Sequence, residues 1–355
     1  MTLNELGLSD WHQPYLDDSD RSEFVVARVL NVNRTNWTIQ NESGVMRAEL
    51  TGRLAWSHEH AADRPAAGDF VWVQIFDDGE WAVIDGVLPR KTILKRKTAG
   101  QTIDVQVIAA NVDVALLVQA CDRDFNPSRL DRYLVAVRDG EVEPKIVLSK
   151  ADLASDSERQ RIADTLEARA PDLRPVFISA ESGEGIEALR QSMTAGMTIC
   201  LLGSSGVGKT TLLNALLGEA RFETRAIRES DDRGRHTTTR RHLTPLPGGA
   251  LIIDTPGMRE FGLLGSDDGF GASFADIDAL AADCRFSDCR HESESGCAVL
   301  AAVAAGELDD NRLRSWHKLE REAYRHEMSI AEKRRKDRDQ GKLYKRIMAQ
   351  KWDRR

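Results

Sequence analysis

Residues 203–210 read Gly203-Ser204-Ser205-Gly206-Val207-Gly208-Lys209-Thr210, a full match to G-x-x-x-x-G-K-[ST]. The match lies between an apolar run, Thr198–Leu202, and a helical stretch, Lys209–Leu217. That order of strand, loop and helix confines this part of the chain to a parallel α/β sheet with a phosphate group seated at a helix N-terminus. The residue types follow from the chemistry. Glycines let backbone N–H groups curl around phosphate oxygens, Lys209 neutralises the β- and γ-phosphates, and the Thr210 hydroxyl binds Mg²⁺, with Thr211 beside it in the same nucleotide-binding set.

Two further segments complete a phosphate site. Ala250–Ile253 is an apolar run ending in Asp254, followed by Thr255-Pro256-Gly257. An acid at a strand end suits a carboxylate of the Mg²⁺ shell, and Gly257 offers an N–H to the γ-phosphate. Between the two lies Arg233-Gly234-Arg235-His236-Thr237-Thr238-Thr239-Arg240, polar and without periodicity. It sits where a nucleotide switch supplies a second hydroxyl to Mg²⁺, a role we assign to Thr239.

Base identity is read from an earlier segment. Guanine is recognised by an Asx-Lys-x-Asp segment at a strand end, whose Asp accepts from the base N1–H and 2-amino group while the Lys packs over the loop. The chain carries Ile146-Val147-Leu148-Ser149-Lys150-Ala151-Asp152 before the phosphate loop, and Ser179-Ala180 as a small backing loop. The order is base loop, phosphate loop, switch one, switch two, so the GTPase domain is circularly permuted. Apolar runs alternate with helical stretches throughout it: Val112–Ala120 then Arg129–Arg138, Lys145–Leu148 then Arg159–Ala170, Pro175–Ile178 then Ile186–Met193.

The flanks differ in texture. Five short β-type runs (Phe24–Asn31, Trp37–Gln40, Val45–Leu50, Asp69–Phe76, Trp81–Leu88), with a turn at Asp77-Asp78-Gly79, predict a small OB-type or SH3-like barrel. Beyond Ser266 no strand is expected. There, Cys284-x4-Cys289-x-His291-x5-Cys297 gathers three thiols and an imidazole, a set that favours one structural tetrahedral Zn²⁺. The competing reading, a disulfide pair, suits an oxidising compartment. Cys121 and Cys200 lie in or at the end of apolar strands and are expected to be core thiols. We divide the chain into an N-terminal extension (1–22), the barrel (23–97), the permuted GTPase domain (98–268) and a helical zinc-binding domain with a basic tail (269–355).

Charge and hydropathy narrow the setting. The net charge is −8, yet from Arg312 onward there are 16 Lys and Arg against 7 Asp and Glu. The basic end of an otherwise acidic protein suits a phosphate-rich partner. The longest apolar run, Ala298–Ala305, falls well short of the roughly 20 residues of a membrane span. With no leader-like stretch at the start, we read the protein as cytoplasmic, without a membrane partner.

Taken together, the permuted order, the loop GSSGVGKTTLLNAL, the segment GRHTTTR, DTPG, the barrel and the cysteine cluster resemble the RsgA (YjeQ) family of circularly permuted, ribosome-associated GTPases. The base motif of that family begins with Asn, where this chain has Ser149. The resemblance implies GTP and GDP as ligands, Zn²⁺ in the C-terminal module, and the 30S ribosomal subunit with its 16S rRNA as partner during late maturation. We expect the protein to act as a monomer.

The position that carries a water-orienting Gln in Ras-like enzymes is Met258, which cannot orient water, so turnover of the isolated protein is expected to be slow. His236, together with Lys209 and Thr239, is the candidate catalytic set. An ATP-using kinase or ATPase shares the phosphate loop but not Lys150 and Asp152. An RNA-binding scaffold with a vestigial site would bind GTP without cleaving it.

Overall fold

The computed structural model describes residues 1–16, 21–33, 35–57, 62–97, 105–219, 242–254 and 267–324. The expectations for Thr239, His236, Gly257, Met258 and most of the basic tail lie outside these residues.

Strands β1 (Val25–Val32), β2 (Trp37–Asn41), β3 (Gly44–Leu50), β4 (Phe70–Phe76) and β5 (Trp81–Val87) close into a barrel in the order β1-β2-β3-β5-β4. All neighbours are antiparallel except β3 and β5. Alternate residues point inward, which is why β2 and β5 bury every second side chain. Val29, Ile39, Ala48, Val71, Val73 and Ile84 fill the interior. A short helix, α1 (Gly52–Ser57), follows β3.

The central sheet runs β10 (Val176–Phe177), β9 (Glu143–Ser149), β8 (Val114–Ala120), β11 (Thr198–Leu202), β13 (Leu251–Ile253), β12 (Leu243–Pro245). Its first five strands are parallel and β12 joins antiparallel at the edge. Every residue of β8 and β11 is buried, as central strands covered on both faces require. Ala115 and Leu117 of β8 face α2 (Pro127–Asp139) and α3 (Asp156–Arg169), while Val114, Leu116 and Val118 face α4 (Ile186–Gln191) and α5 (Lys209–Leu217). From β8 the chain proceeds toward β9, from β11 toward β13. The order reverses between β8 and β11, where a doubly wound sheet opens its ligand crevice.

Two features were not read from the sequence. A hairpin of β6 (Ile93–Lys97) and β7 (Val105–Ala110) links barrel and sheet. Within residues 1–16, Leu6 and His12 are almost fully buried, and the His12 ring meets Phe70 edge-on at 4.8 Å. Fully buried Arg28 of β1 fastens three parts together. It donates to the carbonyl oxygens of Leu6, of Gly68 (3.2 Å) and of Asn111 (3.1 Å), and its guanidinium lies 4.8 Å from the Phe70 ring. Gly68 has φ +91° and no room for a Cβ beside the Ala110 carbonyl. Asn31 of β1 forms an isolated antiparallel bridge with His242, which precedes β12.

Beyond residue 266 the described elements are helices: α6 (Asp267–Ser273), α7 (Ala275–Ala281), α8 (Ala298–Ala305) and α9 over 310–324. Phe274, Ile277, Val299, Leu313, Trp316 and Leu319 form their core. A buried ionic node joins them to the sheet domain. Asp131 of α2 accepts from Arg169 (2.8 Å) and Arg312 (2.6 Å), and Arg312 also pairs with Asp276 (2.8 Å) and lies over the Phe274 ring at 4.2 Å.

Candidate nucleotide and metal sites

The crevice between β8 and β11 is lined by the phosphate loop. Gly203 passes so close to β8 that a Cβ there would stand 2.4 Å from the Val118 carbonyl oxygen. Gly206 and Gly208 both have positive φ, the left-handed geometry that glycine adopts without strain. Gly208 caps α5, whose first residue is Lys209. The Lys209 ammonium donates to the carbonyl oxygens of Gly203 (2.7 Å) and Ser204 (2.6 Å). Burial pushes it down to about 8, with the charge of Asp254 opposing. Asp254, which follows β13, is therefore near enough to Lys209 for its charge to act on it. Thr210 is half-buried; Ser205 and Thr211 are exposed.

The base segment lies against this loop. Ser149, buried at the end of β9, places its hydroxyl 2.5 Å from the Val207 carbonyl oxygen and 3.1 Å from that of Gln119. One hydroxyl thus ties the base segment to the phosphate loop. Lys150 is left-handed (φ +56°), and its ammonium pairs with Asp122 at 2.8 Å. Asp152 is exposed, and Ala151 donates its N–H to the Ile178 carbonyl, which sets the 149–152 segment beside buried Ser179 and exposed Ala180. Arg159 of α3 clamps the two segments from outside, donating to the Ala151 carbonyl and pairing with Glu184 at 2.7 Å.

Sequence reasoning missed the loop between β8 and α2. Asp124 accepts from Arg129 (2.9 Å) and from the Ser204 hydroxyl (2.9 Å), and Arg129 donates to the Ser204 oxygen. Nothing in spacing or composition marks Asp122, Asp124 or Arg129, because their partners come from remote parts of the chain.

The second cluster lies between α7 and α8. One ligand atom each from Cys284, Cys289, His291 and Cys297 falls within 4.8 Å of all the others. His291 Nδ1 stands 3.3 Å from Cys297 Sγ and 3.7 Å from Cys284 Sγ, and the two sulfurs are 3.9 Å apart. A tetrahedron with Zn–S near 2.3 Å and Zn–N near 2.0 Å has edges of about 3.5 to 3.8 Å, close to the three distances among Cys284, His291 and Cys297. The cysteines are free thiols, which sets the disulfide reading aside. Backbone N–H groups of Ala298 and Leu300 point at Cys284 and Cys297 sulfurs (3.3 and 3.4 Å), the support a thiolate ligand needs. Cys121 and Cys200 are buried, and burial raises both thiols, Cys121 to about 11.

A family model described as RsgA GTPase matches residues 87–264. The small ribosomal subunit biogenesis GTPase RsgA 2 of Vibrio parahaemolyticus is 39% identical over 354 residues, 98% of this chain and 93% of that protein. The corresponding RsgA of Xanthomonas euvesicatoria pv. vesicatoria is 47% identical over 82% of this chain and 79% of its own. Among solved structures, YjeQ from Thermotoga maritima superposes with TM-score 0.62 at 25% identity, covering 85% of this chain and 99% of that one. YloQ, titled a circularly permuted GTPase, shares the fold with TM-score 0.57 at 23% identity over 86% of this chain and 97% of its own.

Proposed function

The chain belongs to the RsgA GTPase family, and from that premise we propose that it couples GTP hydrolysis to binding and release of the 30S ribosomal subunit late in that subunit's maturation. The observation that supports the reading is the Ser149 hydroxyl on the Val207 carbonyl, which holds the base segment against the phosphate loop. Asp152, Lys150, Ser179 and Ala180 hold the base. Gly203 to Thr211 hold the phosphates, with Lys209 leaving its loop carbonyls to meet the β- and γ-oxygens.

Thr210 and Asp254 would hold Mg²⁺, joined by Thr239 from outside the described residues, where Gly257 would offer its N–H to the γ-phosphate. When bound, the ion adds positive charge to the same oxygens. The cage of Cys284, Cys289, His291 and Cys297 would hold one Zn²⁺, which cross-links the segment between α7 and α8. The 16S rRNA is the surface on which barrel, zinc module and basic tail would act, in the cytoplasm and with the protein as a monomer; the small ribosomal subunit in the relatives' names and the basic tail support the rRNA part of this reading.

His236 is our candidate for placing the attacking water when the 30S subunit is bound. GTP turnover measured with and without purified 30S subunits tests the reading. We expect slow turnover alone and a rise on adding subunits, most of which His236→Ala loses at unchanged GTP affinity. Absence of stimulation by the subunit would overturn the coupling, and full stimulation of the variant would remove His236 from it.

A further inference from the structure

We propose that Arg129, paired with Asp124, is a positioning residue that braces the phosphate loop through the side chain of Ser204 and so sets how long a guanine nucleotide stays bound. The proposal rests on the nucleotide site described above and adds a residue to it that no motif contains. A glycine-rich loop loses much backbone freedom when it closes on a phosphate, and anything that orders it beforehand lowers that cost. The loop has few side chains by which it can be held. Ser204 is one, and both functions of its hydroxyl are taken: it donates to Asp124 Oδ2 at 2.9 Å and accepts from Arg129.

The brace is itself fixed at three points. Arg129 meets both oxygens of Asp124, at 2.9 and 3.1 Å. Its backbone N–H caps onto the Asn126 side chain at 3.0 Å, and Asn126 donates its own N–H to Gln119 of β8 at 2.9 Å, so the first turn of α2 cannot drift from the sheet. Asp124 donates its N–H to Asp122 Oδ1 at 2.8 Å, while Asp122 Oδ2 holds Lys150 of the base segment. Arg129 beside it, with Ser204 adding, holds the Asp124 carboxyl below the usual carboxylate range, so the pair stays charged at neutral pH. With both terminal nitrogens of the guanidinium committed to Asp124 and Ser204, Arg129 acts on the loop and not on the phosphates.

The test is release of a fluorescent GDP analogue from the full-length protein by stopped flow, with KM and kcat for GTP measured in parallel. Displacement of the analogue by excess GTP but not by ATP checks the underlying site independently of Arg129. We expect Arg129→Ala and Ser204→Ala each to speed release about three- to tenfold, the range of one or two hydrogen bonds, and to raise KM by a similar factor. Preference for GTP over ATP stays, because the base segment is intact.

The double variant should release no faster than the quicker single one, and Arg129→Lys should recover only part of the loss, since an ammonium cannot reproduce the fork. Thermal melting reports whether each variant folds, and Ser204→Ala carries the test if Arg129→Ala does not. Release rates and KM unchanged in both single variants, or effects that multiply in the double variant, would overturn the proposal.

Discussion

Lys209 bonds to the carbonyl oxygens of its own loop, with its ammonium pushed down to about 8 by burial. Phosphate oxygens favour the charged form, so the bound lysine has the higher pKa. The sign follows: below about pH 8 the free site already carries the proton, and above it binding must take one up. GDP affinity should therefore be nearly level toward neutral pH and weaken as pH rises through 8, with proton uptake visible by calorimetry in buffers of different ionisation enthalpy. An affinity unchanged between pH 7 and 8.5 would show that Lys209 is charged throughout. The phosphate loop and its lysine are legible in the sequence because the chemistry dictates each residue type at a fixed spacing. Ser149 shows the limit of such reading. Its reach to Val207 depends on how closely β9 and the loop approach, and no property of a serine in a sequence reports that distance.

At the scale of elements, α2 carries contacts of two kinds. Its first turn holds the phosphate loop, and one residue past Leu130 it buries Asp131 between Arg169 and Arg312. A carboxylate at 0% exposure is stable only while both guanidiniums attend it. Arg312→Ala removes one of them together with the Asp276 pair and the bond to the Ser273 carbonyl. We expect a loss of about 3 to 5 kcal/mol in urea unfolding, much of it recovered when Asp131→Asn is added. Equal stability of variant and parent would mean that the node contributes nothing. The apolar periodicity marks α2 clearly but not this role, because an acid within a helix reads as solvent-facing until its remote partners are placed. The β6–β7 hairpin escapes for a related reason. Lys95, Arg96 and Lys97 dilute the apolar alternation of its first strand, and pairing with β7 supplies what pattern does not. β12 is three residues long and ends in Pro245, a composition that only an edge strand accommodates.

At the scale of the whole molecule, barrel and sheet are joined by groups that are costly to bury. Burial pushes the Arg28 guanidinium down to about 10, so it enters the joint charged and relies on three carbonyls. His12 lies against the same joint, where burial first, and the charges of Arg28 and Lys91 as well, lower its pKa from 6.5. The folded state thus favours neutral His12. Its contribution is complete above about pH 6.5 and is lost as pH falls through the lowered folded value. Melting temperature should fall on acidification in the parent and fall less steeply in His12→Gln. Identical acid slopes would place the titration elsewhere. The three-part architecture is legible from texture: alternating short runs, then strand and helix by turns, then helices around cysteines. The packing of residues 1–16 into the joint is not, since a few apolar residues among acids carry no period.

The strand order also bears on time. A chain leaves its site of synthesis N-terminus first, at roughly 5 to 20 residues per second. β8, α2, β9, α3 and β10 therefore emerge as a contiguous right-to-left half-sheet before the phosphate loop exists, whereas the unpermuted order would deliver the phosphate loop first. The open flank of β8 must then wait for β11 to arrive and cover it. A nucleotide can lend no stability to this first half while it forms. The base-reading side of the nascent protein has to form on its own contacts, and the nucleotide can brace it only after the phosphate loop has joined it.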